Sequence, residues 1–211
     1  MGGEARAALR SLRLRSQTSL NIVGLLLAAG SATRFGSDKL RHELPHGVAI
    51  AVQAARHLKT GVARVVAVVR PGTPDLLEAL KAEACEVVVC ENAADGMGAS
   101  LACAARAAGE ADGYLIALGD MPFVRPTSIA AVRDALANGA ALAAPYFRSR
   151  RGHPVGLSGR FMPNLSRLEG DEGAKQLLAA NAAEIVKIPV GDPGVVRDID
   201  TPGDLAPPLR I

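Results

Sequence analysis

A chain of 211 residues with 49% apolar and 21% charged residues has the size and composition of one folded domain with a substantial core. Aromatic residues are only 3%, with no Trp, which argues against stacking platforms for single-stranded nucleic acid. A net charge of +3 is too small to imply a nucleic-acid partner without a clustered patch.

Cys85, Cys90 and Cys103 are odd in number and form no CxxC pair, so neither a disulfide framework nor a zinc site is expected. Buried thiols in a reducing cytoplasm are the expectation. No apolar run approaches the roughly 18 residues of a membrane span.

Residues 1–20 carry Arg6, Arg10, Arg13 and Arg15 without a continuous apolar core, which is not a secretory pattern. Ala7, Leu9, Leu12 and Leu14 suit a short helix, and the segment reads as a flexible N-terminal extension to a domain over 21–211. From Asn21 onward, apolar runs alternate with helical patterns. Strands are predicted at Ile22–Leu27, Val65–Val69, Glu86–Cys90, Tyr114–Leu118, Ala140–Ala144 and Ile185–Val190. Their near-continuous apolarity implies burial on both faces, as in a parallel sheet covered by helices.

The first helix carries Ile50, Ala54, Ala55 and Leu58 on one stripe. The second covers Asp75–Ala84, with Thr73 as N-cap and Pro74 at the first helical position. Met97–Ala108, Pro126–Asn138 and Gly173–Ala182 follow, the second of these closing on Asn-Gly. The alternation predicts a three-layer, Rossmann-like, doubly wound α/β fold with a mostly parallel sheet. Pro145–Leu157 breaks the rhythm and reads as a hairpin or lid after the fifth strand.

Open α/β sheets bind ligands beyond the carboxyl ends of their strands, so the residues following each run matter most. After the first comes LAAGSATRFGSDK, with glycines that let a ligand approach the backbone and with Arg34 and Lys39 as phosphate-seeking cations. Five residues separate Gly30 from Gly36 and Lys39 lies three further on, which excludes a Walker A loop. Ala32 excludes GxGxxG. A solvated surface loop is the plain alternative.

After the fourth run, Asp120 beside Gly119 is either a hard oxygen ligand for Mg²⁺ or a turn cap. After the last, alternation in Asp198-Ile199-Asp200 sends both carboxylates to one side. One of them would complete a metal site with Asp120 and the other would cap the helix that Pro202 begins. After the third, Gly96 and Ser100 at a helix start suit a base or ribose, or a tight turn.

LLLAAGSATRFGSDKL resembles the LAAGxxxRxGxxK signature of nucleotidyltransferases with the nucleotide-diphospho-sugar transferase fold. DGMGASL, GDMPFV, RRGHPVGL and DIDTPGDL follow in the order found in the molybdenum cofactor cytidylyltransferase group, within the MobA-like superfamily. Gly170-Asp171-Glu172-Gly173-Ala174 narrows the resemblance further.

The resemblance implies transfer of CMP from CTP to the terminal phosphate of Mo-molybdopterin, giving molybdopterin cytosine dinucleotide and pyrophosphate. It implies Leu27, Ala28, Ala29, Gly30, Arg34, Lys39, Gly96 and Ser100 around the nucleotide. Arg34, Lys39 and Asp120 would act in catalysis, and Mg²⁺ would sit on Asp120 with Asp198 or Asp200. In this group Ala28-Ala29-Gly30 goes with CTP, whereas a second glycine goes with GTP.

Arg148, Arg151 and His153 are the expected acceptor contacts, with Arg150 beside them. The plain alternative is an exposed basic hairpin with Arg148 and Arg150 on one strand face. Position 175 holds Lys where the family often has Arg, and no role is assigned to it. A molybdenum hydroxylase apoenzyme is the implied recipient. A nucleotidyltransferase for a sugar or alcohol phosphate, or a non-catalytic cofactor carrier, are the competing readings.

Overall fold

The structure is a computed structural model that describes residues 20–30, 39–171 and 173–206. The expected extension over 1–20 falls almost wholly outside them, as does Arg34. Strand β1 (Ile22–Ala28) is buried along its whole length, as its unbroken apolar run requires. It pairs in parallel with β2 (Arg64–Val69) on one side and β4 (Gly113–Leu118) on the other. β3 (Glu86–Val89) adds in parallel beyond β2.

The sheet is a mixed, mostly parallel α/β layer in the order β3-β2-β1-β4-β7-β5, as expected for the fold class. β5 (Leu142–Phe147) begins two residues later than predicted and runs parallel with β8 (Ile185–Pro189).

Alternation along β1 divides the core. Leu26 and Ala28 face the layer of α1 (Ile50–Lys59), α2 (Pro74–Ala82) and α4 (Pro126–Ala137), where Leu58, Leu80 and Val132 are buried. Leu25, Leu27 and Ala29 face α3 (Met97–Ala108), α5 (Met162–Leu165) and α6 (Lys175–Ala180), against Leu101, Leu165 and Leu178. Each fully buried Leu contributes about 1.5–3 kcal/mol relative to exposure. The largest fully buried side chain, Tyr114, keeps its hydroxyl satisfied by donating to the Gly109 carbonyl at 2.6 Å.

Burial on both faces fails at the sheet edges. β3 and β8 are largely exposed because each has a neighbour on one side only, and Val89 and Val186 reach water. The segment predicted as a hairpin or lid contains a hairpin. β5 turns through Arg148 and Ser149, both at positive φ, into β6 (Arg150–Arg151). β7 (Val155–Ser158) then enters the sheet antiparallel, between β4 and β5.

The Arg148 turn also means that Arg148 and Arg150 do not share one strand face. Thr73 stands at the N-cap of α2, but its hydroxyl donates to the Arg70 carbonyl instead of capping. Cys85 and Cys90 are buried and Cys103 is half-buried, all as free thiols. No helix among the described residues is long and apolar enough to cross a membrane.

Candidate active site

The carboxyl ends of β1 to β4 open onto a cavity of about 710 Å³. Its walls include Leu27, Ala29 and Gly30 from the β1 end, Ser100 from α3, and Lys39. Ala28 points into the opposite core layer at 1% exposure and does not line it. Leu27, Ala29, Gly30, Lys39, Gly96, Ser100 and Asp120, all singled out from the sequence, therefore share one cavity.

At the β4 end, Asp120, Asp198 and Asp200 each offer an oxygen within 4.8 Å of the others. Asp120 follows β4 directly. The other two come from the chain after β8, where Ile199 is fully buried and its amide donates to the Asp120 carbonyl at 2.9 Å. The alternation therefore holds: Ile199 anchors while both neighbouring carboxylates face out.

The expected division of labour, with one aspartate capping the last helical turn, does not occur. Thr201 and Asp204 form a capping box there, leaving both Asp198 and Asp200 at the site. Three hard oxygen donors this close suit a divalent cation.

Lys39 supplies the local positive charge. Its ammonium donates to Asp120 Oδ2 at 3.0 Å and Asp200 Oδ1 at 3.1 Å, with its side chain 11% exposed. Burial pulls its pKa down, but the charges and hydrogen bonds of Asp120 and Asp200 outweigh that and raise it above 10.5. A raised lysine pKa leaves the ammonium charged at every pH below it, so Lys39 is a fixed cation at neutral pH.

Short contacts latch the chain that carries Asp198 and Asp200. The His153 amide donates to the Val195 carbonyl at 2.8 Å. A β-carbon at Gly152 would meet that same carbonyl at 2.2 Å, and one at Gly194 would meet the Phe123 carbonyl at 2.1 Å. Asp192 holds the turn by accepting from the Arg125 and Gly194 amides and the Ser128 hydroxyl.

None of Arg148, Arg151 and His153 lines the cavity. Arg148 stacks on Phe147, its guanidinium carbon 5.2 Å from the ring centre, and Arg150 and Arg151 are exposed on β6. The His153 ring is half-buried against Ala117, Leu118 and Pro154, within electrostatic reach of Arg151, Asp120 and Asp198. Burial pushes its pKa below 6.5, so it is neutral at neutral pH. Its Nδ1 lies 3.5 Å from the Ile116 carbonyl.

A profile of the MobA-like NTP transferase domain matches residues 24–185. The chain belongs to the MobA-like NTP transferase family. This family member is 34% identical over 160 residues to the bifunctional protein GlmU of Bradyrhizobium diazoefficiens, covering 74% of the chain but spanning only about a third (34%) of GlmU. It is 28% identical over 189 residues to nicotine blue oxidoreductase of Paenarthrobacter nicotinovorans, covering 85% of the chain and 92% of that protein.

Among solved structures it superposes on Rv0371c of Mycobacterium tuberculosis with a TM-score of 0.74 at 24% identity, over 87% of this chain and 95% of that one. Rv0371c has also been solved in complex with manganese. The molybdopterin-guanine dinucleotide biosynthesis protein A of Archaeoglobus fulgidus matches with a TM-score of 0.60 at 19% identity, over 87% and 94% of the two chains. The activity of the MobA-like family is nucleotidyl transfer.

Arg70, Glu91 and Asp171 also line the cavity and were not singled out from the sequence. Arg70 directly follows β2 and Glu91 follows the predicted third strand, so the strand-end rule applied evenly would have found both. Asp171 belongs to the Gly170–Ala174 segment, which served only to narrow the resemblance.

Proposed function

We propose that this nucleotidyltransferase moves CMP from CTP to the terminal phosphate of Mo-molybdopterin, releasing pyrophosphate and forming molybdopterin cytosine dinucleotide. The observation that carries the reading is the Asp120, Asp198 and Asp200 trio, with Lys39 bridging Asp120 and Asp200, at one end of a cavity walled by Ala29 and Gly30.

The oxygen-only donor set fits Mg²⁺, held by Asp120 with Asp198 and Asp200. Bound there, the ion supplies charge neutralisation and alignment at the phosphates. The Lys39 ammonium, a cation at this end of the cavity, would offset the charge that grows on the departing pyrophosphate. The Gly30 amide would complete the phosphate cradle, with Arg34 the further cation that the family resemblance implies.

An oxygen of the acceptor phosphate bonds to the α-phosphorus as the bond from that phosphorus to the bridging oxygen breaks. The nucleophile is already ionised near neutral pH, so no general base is required.

Ala29 supports the choice of cytosine: its β-carbon, at the β1 end of the cavity, narrows the space available to a purine. On the acceptor side, Arg148 and Arg151 suit an anionic phosphate better than His153 does. With Nδ1–H directed at a carbonyl, neutral His153 has only a lone pair left on Nε2. A molybdenum hydroxylase apoenzyme is the proposed recipient of the product, in the cytoplasm.

The test is a panel of CTP, GTP and ATP with Mg²⁺ and Mo-molybdopterin, following pyrophosphate release. CTP is expected to turn over well above the others, and Asp120→Ala to abolish turnover. Equal rates with GTP would sink the base assignment. No turnover with any nucleotide would sink the acceptor. The similarity to GlmU supports a second reading, in which a sugar or alcohol phosphate is the acceptor. Pyrophosphate release with such an acceptor and no pterin would favour it.

A further inference from the structure

Glu169, Gly170 and Asp171 sit on the start of α3 with no room to spare. The Gly98 amide donates to the Gly170 carbonyl at 2.7 Å. A β-carbon on Gly98 would lie 2.4 Å from the Glu169 carbonyl oxygen, and one on Gly96 would lie 2.2 Å from Asp171 Oδ1. Gly96 also has φ +121°, a conformation that side chains other than glycine rarely adopt. Two glycines of one element thus fix where a carboxylate from another enters the cavity.

Asp171 is exposed there and accepts no hydrogen bond from any described residue. Its place relative to the phosphates follows from the sheet. Asp120 follows β4 and Glu91 follows β3, and those strands are three places apart in the order β3-β2-β1-β4. At about 4.8 Å per strand this separates the two ends of the cavity by about 14 Å. Lys39 and the metal-ligand trio lie at the β4 end, while Arg70 follows β2, between that end and β3.

Asp171 stands by Gly96, at the head of the helix that follows β3, and Glu91 lies at the β3 end itself. A triphosphate would be repelled by these two acidic side chains, so the uncharged nucleoside belongs beside them. A carboxylate only accepts hydrogen bonds, so it selects a group that donates. The exocyclic amine at C4 of cytosine donates, whereas uracil presents a carbonyl oxygen at the same position.

We propose that Asp171 is a specificity-determining residue that accepts a hydrogen bond from the amine of the nucleobase and thereby rejects UTP. This rests on the nucleotidyl-transfer reading but not on the identity of the acceptor. The test therefore measures equilibrium binding of CTP, UTP and 2′-deoxy-CTP without any acceptor, in the wild-type protein and in Asp171→Asn and Asp171→Ala.

A hydrogen bond to a charged group sets an expected wild-type preference for CTP over UTP of roughly tenfold or more. Asp171→Ala is expected to erase it. Asp171→Asn, whose amide can donate to the uracil carbonyl, is expected to shift it toward UTP. Both variants remove an exposed carboxylate with no partner among the described residues, so their melting temperatures should stay at the wild-type value.

An unchanged CTP to UTP ratio in both variants overturns the proposal. So does a loss confined to discrimination against 2′-deoxy-CTP, which would assign Asp171 to the ribose. A wild-type protein that bound no nucleotide would sink this inference and the transferase reading together. Normal CTP binding without turnover on Mo-molybdopterin would sink only the acceptor.

Discussion

Replacing Lys39 by Met should expose how much of the site is held together by one ammonium group. In the wild-type protein that group is 3.0 Å from Asp120 and 3.1 Å from Asp200. At an effective dielectric of 20, a contact of 3 Å is worth about 5 kcal/mol of gross Coulomb attraction. Asp200 is 57% exposed, so water already screens most of its share, whereas Asp120 is 25% exposed and carries most of the effect.

After the cost of desolvating the lysine, a net loss of about 2 kcal/mol is expected. For a protein of this size that lowers the melting temperature by about 4–8 °C. Met keeps much of the stem's packing, so the loss reports charge. The three carboxylates, left without their counter-ion, should then bind a divalent cation more tightly than before.

The assay is thermal melting in EDTA and in a Mn²⁺ titration, with no nucleotide present. Lys39→Met should melt lower in EDTA, gain more than the wild type from Mn²⁺, and bind Mn²⁺ at lower concentration by calorimetry. A variant as stable as the wild type in EDTA, or one stabilised no more by Mn²⁺, would refute the reasoning.

Two further outcomes follow from the same geometry. Gly98→Ala forces a β-carbon to 2.4 Å from the Glu169 carbonyl, and should cost about 1–3 kcal/mol and raise the KM for CTP by displacing Glu169, Gly170 and Asp171. Denaturant titration with steady-state kinetics checks both, and a neutral variant would mean that the loop yields freely. Burial lowers the pKa of His57 and of His153 below 6.5. The unfolded chain therefore binds more protons than the native one between those folded values and 6.5. Stability contributed by the neutral rings is full above 6.5 and declines as pH falls through that window. The urea midpoint should drop between pH 7.5 and pH 5.5, and less so in His57→Gln; a flat profile would contradict it.

The legible parts of the fold are those written in local pattern. β1 is seven apolar residues in a row, and a strand buried on both faces needs nothing more to announce it. Asp-Ile-Asp disclosed which side chains faced in because strand alternation is local.

β7 was hidden because Val155-Gly156-Leu157 is short. What makes it a strand is the slot between β4 and β5, which no local window contains. Asp171 was missed for a similar reason: its position depends on glycines some 75 residues away, at the start of another helix. The cap assignment failed for the opposite reason. Asp204 stands three residues after Thr201, and that spacing was there to be read.

The described residues beyond β8 contribute no strand to the sheet, yet they supply two of the three carboxylates at the site. This segment is fastened by backbone contacts at Gly152, His153 and Gly194 and by Val195 and Ile199, which are fully buried in the core layer of α1, α2 and α4. Core integrity and catalytic competence are therefore coupled, because the residue between the two carboxylates is itself a core residue. Fraying of this segment would strip the site of two ligands and uncover Val195 and Ile199 in the same event, so that activity and hydrogen-exchange protection of that layer should be lost together on warming.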